Sequence, residues 1–108
     1  MTVGKGMTTH ERIFQAVFLA VDELNQQLAA DQQVDKAPDT VLLGKAASLD
    51  SIGLVSLIVG AEEKVGDEFG TTITLADDRA MSQKKSPFRT IGTLVDYIFM
   101  LLEEQGHV

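Results

Sequence analysis

The sequence predicts an all-α domain with three main helices and one short helix. Three stretches place apolar residues at the three- and four-residue spacing of one helix face, and each begins at or just after a residue suited to cap a helix. Residues 71–75 are rich in β-branched side chains, but a lone run of five residues has no second strand to pair with. The length of 108 residues fits one domain with a modest core.

The first helix is expected at about residues 9–30, after a flexible tail at residues 1–7. Thr8 and Glu11 stand three residues apart, which is the signature of a capping box. The helix then shows a continuous apolar stripe, which consists of Ile13, Val17, Ala20, Val21, Leu24 and Leu28. We expect this stripe to face the core.

Residues 31–49 form the longest connection. They contain Pro38 and show no sustained period, so we expect an ordered loop that the apolar patch at residues 41–43 holds against the core. Residues 71–75 are expected to extend over the helices without forming a strand. Both connections should therefore contribute side chains to the core.

The central helix is expected at residues 51–69, and it carries two apolar stripes. The stripe with the spacing of a buried face comprises Leu54, Leu57, Ile58, Ala61, Val65 and Phe69. Ile52, Val55 and Val59 project from a different side of the same helix, where Glu62 and Glu63 border them. Two stripes need two partners, so the second is either covered by another part of the fold or left for another protein.

The last part of the chain predicts a short helix at about residues 76–82 and a final helix at 90–104. Pro87 stops any helix from continuing through the loop before it. Thr90 is suited to cap the final helix, whose stripe comprises Ile91, Leu94, Val95, Ile98 and Leu102. Residues 8–108 are thus expected to form a single domain.

Composition excludes several classes of function. The net charge of −7 argues against a nucleic-acid partner and points to basic patches on proteins, or only to solubility. The chain has no cysteine, which excludes disulfides, thiolate zinc sites and cysteine nucleophiles. Because no stretch resembles a secretory signal or is long enough to span a bilayer, we expect a cytoplasmic protein without membrane insertion.

The central helix also carries a family resemblance, in the residues Asp50, Ser51, Ile52, Val55, Leu57, Ile58, Glu62 and Glu63. In this order and spacing they resemble the Asp-Ser-Leu segment and second helix of acyl carrier proteins. Residues 88–98, with the sequence FRTIGTLVDYI, resemble the start of that family's last helix. The chain from Thr9 to Glu104 can be laid along the family pattern.

The resemblance implies an acyl-carrier-like four-helix bundle, with three main helices and a short third one. It also implies that a phosphopantetheinyl transferase moves 4′-phosphopantetheine from coenzyme A to Ser51, with Asp50 helping to present the serine. The terminal thiol of that group then holds an acyl group as a thioester for fatty-acid, polyketide or related biosynthesis. On this interpretation the chain is a monomeric tether and not an enzyme.

Partner contacts follow from the same resemblance. The family positions that touch partner enzymes are occupied here by Ile52, Val55, Val59, Glu62 and Glu63. The implied partners are the transferase and the acyl-activating, synthase and acyltransferase enzymes. The chain departs from the fatty-acid branch at Gly53 and Ser56, where acidic residues are usual, so its partners can be a different set.

Glycines in the central helix also need a reason, because each costs about 1 kcal/mol relative to alanine in a helix interior. We expect close approach, with Gly53 near the prosthetic group or an enzyme and Gly60 against a neighbouring element.

The core between the helices is a candidate shelter for the acyl chain, and its candidate lining consists of Leu57, Ile58, Ala61 and Ile98.

Three alternative functions stay open, namely an aminoacyl or peptidyl carrier, an unmodified acidic helical adapter and a serine hydrolase. The hydroxyl of Ser51 at a helix start suits a phosphate group, because the first-turn amides and the helix dipole favour an anion, but Asp50 or Ser51 can equally be a simple N-cap. An aminoacyl or peptidyl carrier would use the same chemistry, whereas an unmodified acidic helical adapter would need none. A serine hydrolase is poorly supported, since His10 and His107 lie at the ends of the chain and no Gly-x-Ser-x-Gly motif occurs. No spacing of acidic residues matches a calcium loop, so no metal site is expected.

Overall fold

The computed structural model describes residues 8–42, 49–75 and 87–106. In these ranges the chain forms three α-helices and one short 3-10 helix, namely α1 (Thr9–Asn25), the 3-10 helix (Ala30–Gln32), α2 (Ser51–Phe69) and α3 (Ile91–Glu104). The described residues contain no strand, and their only β pairing is an isolated bridge between Val41 and Thr90. The predicted all-α class is therefore confirmed. The short helix predicted at residues 76–82 lies outside the described residues, so the four-helix arrangement stays a prediction.

The predicted helix starts at Thr8 and Thr90 are confirmed by their hydrogen bonds. The amide of Thr8 donates to Glu11 Oε1 at 2.7 Å, and the amide of Glu11 donates to Thr8 Oγ1 at 3.1 Å. Thr90 and Thr93 exchange the same pair of bonds, each at 3.0 Å. Such caps satisfy amides that have no acceptor inside the helix, and one contributes about 0.5–2 kcal/mol.

Helix α1 is the element against which the other two pack, while α2 and α3 do not approach each other closely. Each helix buries the stripe that its sequence predicts. The fully buried side chains of the three stripes are Ile13, Val17, Val21, Leu57, Ala61, Val65, Ile91, Leu94, Val95, Ile98 and Leu102. The connections complete the core with Val34, Leu42, Ile73, Leu75 and Phe88.

Helix α1 ends at Asn25, and not near residue 30 as the apolar stripe indicated. The Asn25 side chain brackets Val34 of the returning chain: Nδ2 donates to the Val34 carbonyl at 2.9 Å, and Oδ1 accepts from the Val34 amide at 2.8 Å. The amides of Gln27 and Leu28 bond to carbonyls three residues earlier, which tightens the turn. Leu28 packs against the core from this turn, so the apolar period continues beyond the helix.

The variant Asn25→Asp should lower the free energy of unfolding by about 1–3 kcal/mol, because the buried Val34 carbonyl loses its donor and faces a carboxylate. Urea denaturation followed by circular dichroism measures this change. Gln26→Glu is the matched control, since it makes the same amide-to-acid change at an exposed neighbour. Equal stability of the two variants would show that the hydrogen bonds between Asn25 and Val34 do not hold the connection after α1.

The end of the long connection is fixed to the start of α3. The amide of Leu42 donates to the Arg89 carbonyl at 2.7 Å, and the amide of Gly92 donates to the Pro38 carbonyl at 2.7 Å. A methyl group on Gly92 would lie only 2.9 Å from that Pro38 oxygen, so glycine permits the approach. Leu42 is buried, which confirms that its apolar patch anchors the connection. Leu43, also part of the predicted patch, lies outside the described residues.

Residues 71–75 extend across the core without forming a strand, as predicted. Ile73 and Leu75 are buried, and their neighbours point outward. Gly70 reverses the chain after α2 in the left-handed region at φ 66°, a conformation that glycine adopts without strain. Thr71 Oγ1 then donates to Gln105 Oε1 at 2.8 Å, which ties the end of α2 to the end of α3.

Candidate functional site

The leading end of α2 is a capped helix start with residue 51 as its first helical residue. Asp50 is the N-cap: its Oδ1 accepts a hydrogen bond from the Gly53 amide at 2.7 Å, and its carbonyl accepts from the Leu54 amide at 2.9 Å. The side chain of Ser51 lies outside the part of the chain that the structure describes. The predicted start of the central helix is confirmed, and the cap belongs to Asp50.

The first turn of α2 has the electrostatic character of an anion site. The amides of a first turn have no carbonyl acceptor inside their own helix, and Asp50 takes up only that of Gly53. The positive end of the helix dipole lies at the same place, and the first turn contains no acidic residue. A negatively charged group attached at position 51 would therefore meet amide donors and little opposing charge beyond the Asp50 carboxylate.

Tight packing within the loop gives a local reason for glycine at position 53. Gly53 is buried, and a methyl group there would lie 3.1 Å from Leu49 Cδ2 and 3.2 Å from Asp50 Oδ1. The glycine thus lets the preceding residues pack over the helix start, while the expected approach of the prosthetic group or an enzyme stays a prediction. Gly60 follows the prediction, because a methyl group there would lie 3.3 Å from Ala20 Cβ of α1.

The second apolar stripe of α2 faces solvent. Ile52, Val55 and Val59 are 78%, 59% and 49% exposed, whereas Leu57 and Ala61 on the buried stripe are fully covered. Adjacent exposed aliphatic side chains along one helix face typically mark a contact surface. Within residues 8–42, 49–75 and 87–106, the fold therefore leaves the second stripe exposed.

Glu62 and Glu63 have different environments, although the family resemblance implies a partner contact for both. Glu62 is half-buried, and its Oε2 accepts a hydrogen bond from the Leu75 amide at 2.6 Å. Glu63 is exposed and forms no salt bridge with another described residue. Glu62 thus holds the 71–75 segment against α2, and only Glu63 presents its carboxylate to solvent.

The variant Glu62→Ala should lower the free energy of unfolding by about 1–3 kcal/mol, since a part-buried amide loses a charged acceptor. Glu63→Ala, one residue away, should change it by less than about 0.5 kcal/mol. Urea denaturation measures both changes, and hydrogen exchange should show the Leu75 amide losing protection only in Glu62→Ala. A larger cost for Glu63→Ala would mean that the two roles are assigned the wrong way round.

A groove of about 340 Å³ runs between α1 and α2 beside the exposed stripe. Its lining consists of Ala20, Glu23, Leu24, Gln27, Val55, Ser56, Val59, Gly60 and Glu63. Glu23 bonds to Lys64 at its edge, and this hydrogen bond raises the pKa of the lysine. Sequence reasoning missed the contribution of α1. The available signal was the small size of Ala20 and Gly60, which lets the two helices approach.

Among the described residues, the remaining candidates do not form a second centre, and His107 lies outside the described ranges. His10 stacks on Phe99 with ring centroids 4.2 Å apart, and its Nε2 lies 3.4 Å from Asp96 Oδ1, so it belongs to the contact between α1 and α3. Across residues 8–42, 49–75 and 87–106, no group of three or more His, Cys, Asp or Glu side chains could hold a metal ion. None of the described helices combines the length and apolar character that crossing a bilayer requires.

Comparison of the chain with protein-family models, curated proteins and solved structures finds no match.

Proposed function

We propose that this chain is a carrier protein that bears 4′-phosphopantetheine on Ser51 and holds acyl groups on it as thioesters. One observation carries the proposal: residue 51 begins α2 directly after the Asp50 cap, and the exposed stripe of Ile52, Val55 and Val59 continues from it along the same helix. A modification point and a docking face are thus adjacent on one rigid element. The resemblance to acyl carrier proteins supplies the chemistry.

The residues of the helix start fit a phosphodiester. In the loading reaction the Ser51 oxygen would form a bond to phosphorus and lose its proton, while the adenosine bisphosphate part of coenzyme A leaves. The negative charge that remains would lie near first-turn amides and the positive end of the dipole, an arrangement that contributes about 0.3–1 kcal/mol. Asp50 would keep this end ordered through its bond to the Gly53 amide.

The attached group supplies a thiol, which the cysteine-free chain lacks. The chain itself would dock to an enzyme through the exposed stripe, so that the tethered acyl group reaches a high effective concentration at the active site. We propose Leu57, Ile58, Ala61 and Ile98 as the lining of a shelter for the acyl chain, since all four belong to the buried core. The chain acts in the cytoplasm as a monomer and catalyses no reaction itself.

The partners proposed are a phosphopantetheinyl transferase and acyl-activating, synthase and acyltransferase enzymes. Their common contact would be Ile52, Val55, Val59 and Glu63, while Glu62 would act indirectly by holding residues 71–75. The first turn of α2 has no acidic residue. This favours partners other than enzymes that recognise acidic side chains in the first turn. This feature keeps the aminoacyl or peptidyl carrier as the alternative within the same chemistry.

Incubation with coenzyme A, magnesium and a broad-range phosphopantetheinyl transferase tests the proposal. Intact-protein mass spectrometry should show the gain of one phosphopantetheine group per chain. If several transferases of different classes give no gain while a known carrier is loaded in parallel, the carrier function is wrong. The remaining interpretation would be an unmodified acidic helical adapter. The exposed stripe also favours an adapter, because docking through this stripe requires no modified serine.

A further inference from the structure

The start of α2 lacks half of the hydrogen-bond pair that begins α1 and α3. At those two helices the N-cap threonine and the third helical residue exchange reciprocal bonds through their side chains. At α2 the Asp50 carboxylate accepts from the Gly53 amide at 2.7 Å, but the glycine has no side chain with which to return the second bond. Glycine also leaves the backbone more conformational freedom than any other residue. The first turn, which begins at residue 51, therefore needs another contact to hold it in one conformation.

The side chain of Leu49 supplies such a contact. Its Cδ2 lies 3.1 Å from the place of a methyl group on Gly53, so it packs directly against the glycine in the first turn. Leu49 precedes the N-cap and Leu54 is the fourth helical residue, and these are the two positions of a hydrophobic staple. Both leucines also pack against the core. Because a staple fixes the angle at which the chain enters a helix, Leu49 constrains the backbone from Asp50 to residue 51.

The missing side chain at Gly53 makes this packing possible. Leu49 Cδ2 and Asp50 Oδ1 both lie closer to the place of a methyl group there than ordinary van der Waals contact allows. A side chain long enough to complete a capping box would have to displace one of them. The leucine and the second capping bond thus compete for the same space, and at this helix start the leucine occupies it.

We propose that Leu49 is a positioning residue for the modification of Ser51. Its packing against Gly53 keeps the first turn of α2 helical, so the backbone of residue 51 meets the transferase in one conformation. The inference rests on the proposed carrier function and adds a residue that acts through the helix start. Partial population of a competent conformation weakens apparent affinity by the same fraction. Loss of the contact should therefore raise KM for the carrier and leave kcat unchanged.

The test compares loading of the unchanged chain, Leu49→Ala and Leu49→Met by coenzyme A, magnesium and a broad-range phosphopantetheinyl transferase. Leu49→Ala should raise KM about tenfold, whereas Leu49→Met keeps a long apolar side chain and should stay within about twofold. Hydrogen exchange without transferase should show the Gly53 amide losing protection in Leu49→Ala. The matched control is Leu28→Ala, which truncates another half-buried leucine that packs against the core. It should lower stability without changing KM.

A double variant separates order at the helix start from direct contact between Leu49 and the transferase. Leu49→Ala combined with Gly53→Gln vacates the space beside residue 53 and fills it with a side chain that can bond to the Asp50 amide. Glutamine completes the capping box without adding charge. If Leu49 acts through the helix start, the double variant should restore KM to within about twofold of the unchanged chain, and it should restore protection of the amide at residue 53.

Failure of the carrier function and failure of the positioning role are distinguishable. If no transferase loads the unchanged chain, the carrier function is wrong and the positioning role falls with it. If the unchanged chain is loaded and Leu49→Ala is loaded equally well, only the positioning role is wrong. A raised KM that the double variant does not restore would overturn it in favour of direct contact with the enzyme. An equal rise in KM for Leu28→Ala would overturn it in favour of a general loss of stability.

Discussion

The variant Ser51→Ala should abolish the mass gain on incubation with coenzyme A and the transferase. A phosphodiester at this position needs an oxygen nucleophile, and a methyl side chain provides none. The fold should be retained, because Asp50 and not Ser51 caps α2 through the Gly53 amide. We therefore expect the free energy of unfolding to change by less than about 0.5 kcal/mol. The loss of loading can then be attributed to chemistry and not to unfolding.

Thr74→Ala is the matched control for this experiment. It removes an exposed hydroxyl from a residue in the segment after α2, and it should be loaded as fast as the unchanged chain. Peptide mapping of the loaded protein should place the added group on the peptide that contains Ser51. Loading that persists in Ser51→Ala would rule out this serine, and a group found on another hydroxyl would relocate the site.

The variant Leu57→Ala should have the largest effect on stability, a loss of about 2–5 kcal/mol in the free energy of unfolding. Leu57 is fully buried in the stripe of α2 that faces the core, so truncation removes buried apolar area and leaves a cavity. For a domain of about 100 residues each kcal/mol shifts the melting temperature by about 4–8 °C. Thermal and urea denaturation should both register the change.

Ile52→Ala is the control on the other stripe of the same helix. Ile52 is 78% exposed, so its truncation should change the free energy of unfolding by less than about 0.5 kcal/mol. It should instead slow loading by the transferase, because the proposed docking face loses its most exposed side chain. A strong loss of stability in Ile52→Ala would mean that the second stripe is covered by the protein itself.

The helices were largely predictable because their signals are local. The capping boxes at Thr8 and Thr90 and the αL glycine after α2 act within one helical turn, and the apolar period of each stripe follows from the sequence alone. The end of α1 was not predictable in this way. Its apolar period continues to Leu28, whereas the bracket between Asn25 and Val34 joins residues nine apart.

The features of the candidate site also divide into those that depend on nearby residues and those that depend on tertiary contacts. The helix start at residues 50–51 and the presence of a second apolar stripe were predictable from the spacing within α2, whereas the structure decided that Asp50 is the cap and that Ile52, Val55 and Val59 are exposed. The difference between Glu62 and Glu63 was not, because it depends on where the Leu75 amide comes to lie. The packing of Leu49 against Gly53 was not predictable either, since it is a feature of the folded loop.

The amino-acid sequence by itself determined where the three described helices begin and which stripe of α2 faces the core. These properties depend on hydrogen bonds and side-chain spacing within a few residues. Only the tertiary structure decided that α1 joins α2 in forming a groove, because the meeting of Ala20 with Gly60 brings together residues 40 positions apart in a pairing that no local pattern records. The contacts that shape the docking face are thus set by how the helices pack, whereas the residue proposed to carry the group is set by where one helix starts.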